Sequence, residues 1–107
     1  MANFEVGTEQ RSGEVVIRLS GELDLSAFDR VDEVLTTAQS NGNRLVRIDL
    51  RGLEFIDSSG IRLLLVAQKR AEKNGNELCI IRGNERIHRI FALTDLDKRL
   101  PFCDDET

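Results

Sequence analysis

Asp57, Ser58 and Ser59 stand in a row ahead of Gly60 and the stretch IRLLLVAQKRAEKNG. Two hydroxyls beside a carboxylate at the start of an apolar, helix-patterned run permit three chemistries. As a cap, Asp57 or Ser58 accepts hydrogen bonds from the first free N–H groups of the helix that follows. As a nucleophile, Ser58 needs a base. The only histidine, His88, sits near Arg86 and Arg89 on the expected polar side of a later helix, where it reads as an exposed surface residue. Ser58 also lacks the G-x-S-x-G elbow, so a Ser/His/Asp hydrolase has little support. As a phosphate acceptor, Ser58 or Ser59 would gain a charge of about −1.5 to −2, stabilised by a helix N-terminus and opposed by Asp57.

Other chemistry is not written in the chain. The eight glycines are scattered at turns and helix ends, and none builds a G-x-G-x-x-G or P-loop pattern, so no cofactor is expected. Asp29, Asp32 and Glu33 read as a solvated acidic helix face rather than a metal site. Cys79 lies in the apolar run LCII and Cys103 near the acidic end, without metal-ligand or C-x-x-C spacing. They read as a buried structural thiol and a bystander, with no demand for an oxidising compartment.

The elements that must position Asp57 and Ser58 follow from periodicity. ANFEVGTEQ and EVVIRLSG flank the turn RSG and predict an antiparallel hairpin. Phe28, Val31, Val34, Leu35 and Ala38 recur at helical spacing, with Asp24 or Ser26 as N-cap and SNGN as stop. In RLVRIDLRG, Val46, Ile48 and Leu50 alternate with Arg47, Asp49 and Arg51, which predicts a strand with one wet face and helices gathered on the other. After GLEFID comes a helix with Ile61, Leu64, Leu65, Ala67, Gln68 and Ala71 as its core stripe. ELCIIR then predicts a strand. GNERIHRIFALTDL predicts a third helix, capped by Asn84, with Ile87, Ile90, Phe91 and Thr94 inward. Pro101 limits RLPF to an edge strand. Repeated βα units make this an α/β chain with a small, mainly parallel sheet and an antiparallel N-terminal edge strand. Ser58 then falls at the carboxyl edge of the sheet, where α/β folds build sites.

Composition bounds the partners. The 107 residues suit a single domain with one core, and 40% apolar content is that of an ordinary globular chain. A net charge of −4 gives no general attraction to nucleic acid or anionic lipid; Lys69, Arg70 and Lys73 read as solvated helix face. The N-terminus has no secretory pattern and no apolar run approaches a membrane span, which leads to the expectation of a cytoplasmic protein, monomeric when free.

Three blocks resemble the STAS domains, and among them the bacterial anti-sigma factor antagonists: GELD at 21–24, IDLRGLEFIDSSGI at 48–61 and LCIIRGNERIHRIFALTDL at 78–96. The resemblance runs over nearly the whole chain and implies a single STAS domain over 1–107, with its fold. It implies that Ser58 is the phosphoacceptor of an anti-sigma factor with serine kinase activity. The unphosphorylated protein would bind that factor and release a sigma factor, and a metal-dependent serine/threonine phosphatase would restore it. The chain would be substrate and ligand, not catalyst. Carried over by position, Asp57, Ser59 and Gly60 would lie at the partner-binding edge, with Asp24 and Ser26 on the neighbouring loop. The further C-terminal helix of many members is expected to be absent or minimal after LDKRLPFCDDET. The alternative is a phosphorylation-independent STAS interaction module in a stress-signalling or transport-regulating assembly.

Overall fold

The computed structural model describes residues 3–104. Its elements are β1 (Phe4–Arg11), β2 (Glu14–Leu23), a 3-10 turn (Leu25–Ala27), α1 (Phe28–Ser40), β3 (Leu45–Ile56), α2 (Ser58–Asn74), β4 (Glu77–Ile81), α3 (Glu85–Leu93) and β5 (Phe102–Cys103). The sheet order is β1-β2-β3-β4-β5, antiparallel between β1 and β2 and parallel elsewhere. Gly13, at φ 73°, closes the hairpin in a conformation that suits a residue without Cβ.

The helices lie against one face. Ile17, Leu19, Val46, Ile48 and Ile80 from the strands are buried with Val31 and Leu35 of α1, Leu63 and Leu64 of α2, and Ile87 and Phe91 of α3. Leu63 is buried where the spacing had favoured Ile61 and Leu65, which are partly buried beside it. The other face is an ionic lattice. Glu14 meets Arg44 at 2.9 Å and also pairs with Arg47, while Glu9 holds Arg11 and Arg18 at 2.9 Å each. Val16, opposite Glu9 on one side and Arg47 on the other, is fully buried on this face, as expected where long charged side chains lay their stems over apolar surface.

β3 is one continuous strand of 12 residues, running past the predicted strand RLVRIDLRG through most of GLEFID. It carries two extra residues relative to β2. Arg18 faces Asp49 but Ser20 faces Gly52; Gly21 faces Leu53 but Glu22 faces Phe55. Each bulge resets the alternation by one. Core contact therefore passes from Val46, Ile48 and Leu50 to Leu53 and then Ile56, all buried. Without this rephasing, the end of β3 would turn its apolar residues outward.

Two polar expectations change. Asp32 does not simply face solvent: its carboxylate takes a 3.2 Å hydrogen bond from Arg70 of α2, tying the two helices. His88 is half-buried, stacked edge-on against Phe102 at 4.8 Å and tilted against Phe91 at 6.2 Å, because β5 folds back beside α3. The cysteines also differ from expectation. β4–β5 pairing brings Cys79 and Cys103 to one face with Cα atoms 5.8 Å apart, and they form a disulfide.

Asp49 was expected on the wet face, yet it is 4% exposed. Burial pushes its carboxyl up, but side-chain and backbone hydrogen bonds from Arg51 and the charges of Arg51 and Arg18 outweigh this and hold it below the ordinary value. A carboxyl depressed in the folded state adds stability above its unfolded pKa, and loses it as pH falls through the folded one. We expect urea stability to fall on acidification below about pH 4. Asp49→Asn should cost about 2 kcal/mol at neutral pH and flatten that acid slope. An unchanged slope would remove Asp49 from the account.

Candidate functional site

The loop after β2 and the turn after β3 meet at the carboxyl edge of the sheet. The backbone N–H of Asp57 donates to Leu23 O at 3.2 Å, so the two strand ends are joined where they stop pairing regularly. Asp57 is extended, at φ −107° and ψ −174°, and is the N-cap of α2. Its Oδ1 accepts from the N–H of Ser59 at 3.0 Å and of Gly60 at 3.2 Å, satisfying donors the helix leaves free. The Ser59 hydroxyl donates to the same oxygen. This hydroxyl bond, then the N–H groups of Gly60, Ser59 and Leu25, outweigh burial and keep the Asp57 carboxyl below its ordinary range, hence charged at neutral pH.

The Leu25 N–H comes from the other loop and makes the smallest of these contributions, while the hydrogen bond that joins the two strand ends is that of the Asp57 N–H to Leu23 O. That loop repeats the same device. Asp24 Oδ1 accepts from the Ser26 N–H at 3.0 Å and the Ser26 hydroxyl at 2.6 Å. Asp24 thereby caps the 3-10 turn, whereas α1 begins after Ala27 without a side-chain cap, so the expected cap acts one short element earlier.

Gly60 is required by packing. A Cβ there would stand 2.7 Å from Ile56 Cγ1 and 2.9 Å from Leu23 Cγ. The first turn of α2 can therefore sit on the ends of β2 and β3 only if position 60 has no side chain.

The two serines separate. Ser59 is half-buried and its hydroxyl is engaged by Asp57, while Ser58 is exposed. Among the described residues none hydrogen-bonds the Ser58 hydroxyl, and no histidine, lysine or carboxylate is placed as a base on it. His88 is engaged by the aromatic rings of α3 and β5. Two apolar residues that sequence reasoning passed over flank the edge: Leu25 is 73% exposed and Phe55 is 47% exposed. Phe55 stands out in the sequence only as an apolar residue between Glu54 and Ile56. Its outward direction depends on the second bulge of β3.

The STAS domain model matches residues 5–107. The chain belongs to the STAS domain family. This STAS chain is 32% identical over 108 residues to the anti-sigma F factor antagonist of Paenibacillus polymyxa, covering 97% of this chain and 90% of the relative. It is 33% identical over 94 residues to the anti-sigma-B factor antagonist of Staphylococcus aureus, covering 88% and 85%. Among solved structures, the Bacillus anti-sigma factor antagonist SpoIIAA in its unphosphorylated form superposes with TM-score 0.80 at 25% identity, covering 94% of this chain and 88% of that one. Its phosphorylated form superposes at 0.74, with 91% of that chain covered. The mixed sheet with helices on one face is thus the fold of anti-sigma factor antagonists. No helix among the described residues is long and apolar enough to cross a membrane.

The geometry orders the stability of variants at this edge. Ser59→Ala should cost about 1 kcal/mol, whereas Ser58→Ala should stay within about 0.5 kcal/mol of the parent. Gly60→Ala should cost about 2 kcal/mol through overpacking. Urea unfolding measures all three, and a Ser58→Ala loss as large as that of Ser59→Ala would contradict the distinction.

Proposed function

We propose that this STAS protein is an anti-sigma factor antagonist in which phosphorylation of Ser58 ends partner binding. The unphosphorylated form binds an anti-sigma factor and thereby frees a sigma factor for transcription. The anti-sigma factor is the serine kinase, and a metal-dependent serine/threonine phosphatase reverses the modification. The chain is substrate and ligand rather than enzyme, a single STAS domain, and works in the cytoplasm.

The observation that carries the reading is the contrast between the two serines: Ser58 is exposed and unbonded among the described residues, while the Ser59 hydroxyl is committed to Asp57. It favours Ser58 as acceptor, because its hydroxyl is the accessible one of the two. The relatives' names and the existence of SpoIIAA in both phosphorylated and unphosphorylated forms lend support. A phosphate on Ser58 gains from the N-terminus of α2 and is opposed by the charged Asp57, so the fold tolerates it. A partner seated over the edge does not. A charge introduced into a desolvated contact costs several kcal/mol, and each ~1.4 kcal/mol is tenfold in affinity.

Leu25 and Phe55 supply apolar anchors beside Ser58, with Asp24, Ser26, Asp57, Ser59 and Gly60 shaping the edge between them. In a calorimetric titration with the anti-sigma factor of the same cell, Ser58→Ala should bind like the parent and resist release by ATP. Ser58→Asp should bind at least about tenfold more weakly, and Leu25→Ala or Phe55→Ala about tenfold more weakly. Equal affinity for the parent and Ser58→Asp would favour an interaction module that phosphorylation does not govern.

A further inference from the structure

The Cys79–Cys103 disulfide lies where the sheet is least secured. β5 is two residues long and, among the described residues, pairs with a neighbour on one side only. It is held by Ile80 N–H donating to Pro101 O at 2.9 Å and Arg82 N–H donating to Cys103 O at 3.3 Å. On the helix face, Phe102 packs edge-on against Phe91 at 5.0 Å and His88 at 4.8 Å. On the opposite face, Ile81 stands beside Cys103 in register, and Cys79, two residues earlier on β4, reaches Cys103 diagonally. The Cα separation of 5.8 Å is ordinary for a disulfide, so the strands need not move to form it. Both cysteines are half-buried rather than enclosed, which leaves the sulfurs reachable by a small thiol from the open edge.

The bond joins residues 24 apart and closes a loop that contains α3 and the turn before β5; α3 is also held by the core through Ile87 and Phe91, whereas β5 has little besides this closure. So short a strand contributes little by itself, and segments with few contacts open first. We propose that Cys79 and Cys103 form a reversible thiol–disulfide modification site that locks β5 to β4 when oxidised and frees it when reduced. It is an input separate from Ser58. In the oxidising direction the two thiols lose two electrons and two protons to glutathione disulfide, forming the Cys79–Cys103 bond and releasing two glutathione thiols. In the reducing direction a glutathione thiolate attacks one sulfur, and a second resolves the mixed disulfide. That the pair switches, rather than serving as a permanent staple, rests on the proposed function. In the compartment of that function the thiol pool keeps most cysteines reduced, and the disulfides that do form there are mostly transient or redox-sensing. Release of β5 would expose part of Phe91, which is fully buried beneath Phe102, and the ring of His88.

The test uses the full chain in glutathione buffers ranging from fully reduced to fully oxidised, with iodoacetamide labelling, hydrogen exchange and melting read in each. Labelling should show two free thiols at the reduced end and none at the oxidised end, with a transition between. Reduction should lower the melting temperature by roughly 10 °C or more. It should speed exchange of the Ile80 and Arg82 amides at least tenfold, while Ser59 and Gly60 amides stay as they were. Cys103→Ser should match the reduced protein; if that variant does not fold, reduced parent protein gives the comparison without substitution. Thiols that stay labelled in oxidised glutathione, disulfide-linked dimers in place of the internal bond, or identical melting and exchange in both forms would overturn the proposal. Partner titration is read separately, so failure of the Ser58 switch and failure of this site are distinguishable.

Discussion

The Asp57 carboxylate is the interaction on which the edge of this sheet depends. It ends β3, caps α2 through the N–H groups of Ser59 and Gly60, takes the Ser59 hydroxyl, and draws in the Leu25 N–H from the loop after β2. One residue thus fixes the start of a helix through its carboxylate and the junction with the end of β2 through its N–H on Leu23 O. Because those donors hold it charged, the edge has a built-in negative charge beside Ser58. Ser58 is the hydroxyl in this turn that the arrangement leaves free, and that is what makes the turn a candidate for modification rather than a cap alone.

The rest of the fold delivers Asp57 to that position. Two bulges in β3 rephase its last residues so that Leu53 and Ile56 stay in the core while Phe55 faces out. Gly60 then lets α2 start directly on Ile56 and Leu23, with no room for a Cβ. The ion-paired face of the sheet allows all three helices to gather on the other side. Core, strand ends and helix N-terminus thereby converge on one exposed serine.

Local signals were legible in the chain. The hairpin turn, the Asn84 cap and the Val46, Ile48, Leu50 alternation reflect short-range periodicity and turn chemistry, and the structure contains each; the helix stripes hold in part, because Leu63 is buried ahead of Ile61 and Leu65, and Thr94, expected inward, is exposed as the C-cap of α3. What depended on long-range pairing was not legible. The β3 bulges are set by the β2 register, so the outward turn of Phe55 has no local mark. The edge strand near Pro101 was expected, but its pairing partner was not, and Cys79 and Cys103 meet only because β5 pairs with β4. The same fold-back covers His88, which in sequence looks like an exposed residue among arginines. Asp57 and Ser58 were legible as a pair of roles, but which serine is free became decidable only when the Ser59 hydroxyl was seen on Asp57.

The proposed role of Ser58 is that of a regulated phosphate acceptor. Its most direct test is site-resolved mass spectrometry of the protein isolated from its own cells during growth and under stress. Phosphate is expected on Ser58 and not on Ser59, with occupancy that changes between the two conditions. Phosphate on Ser59, or none in either condition, would contradict it.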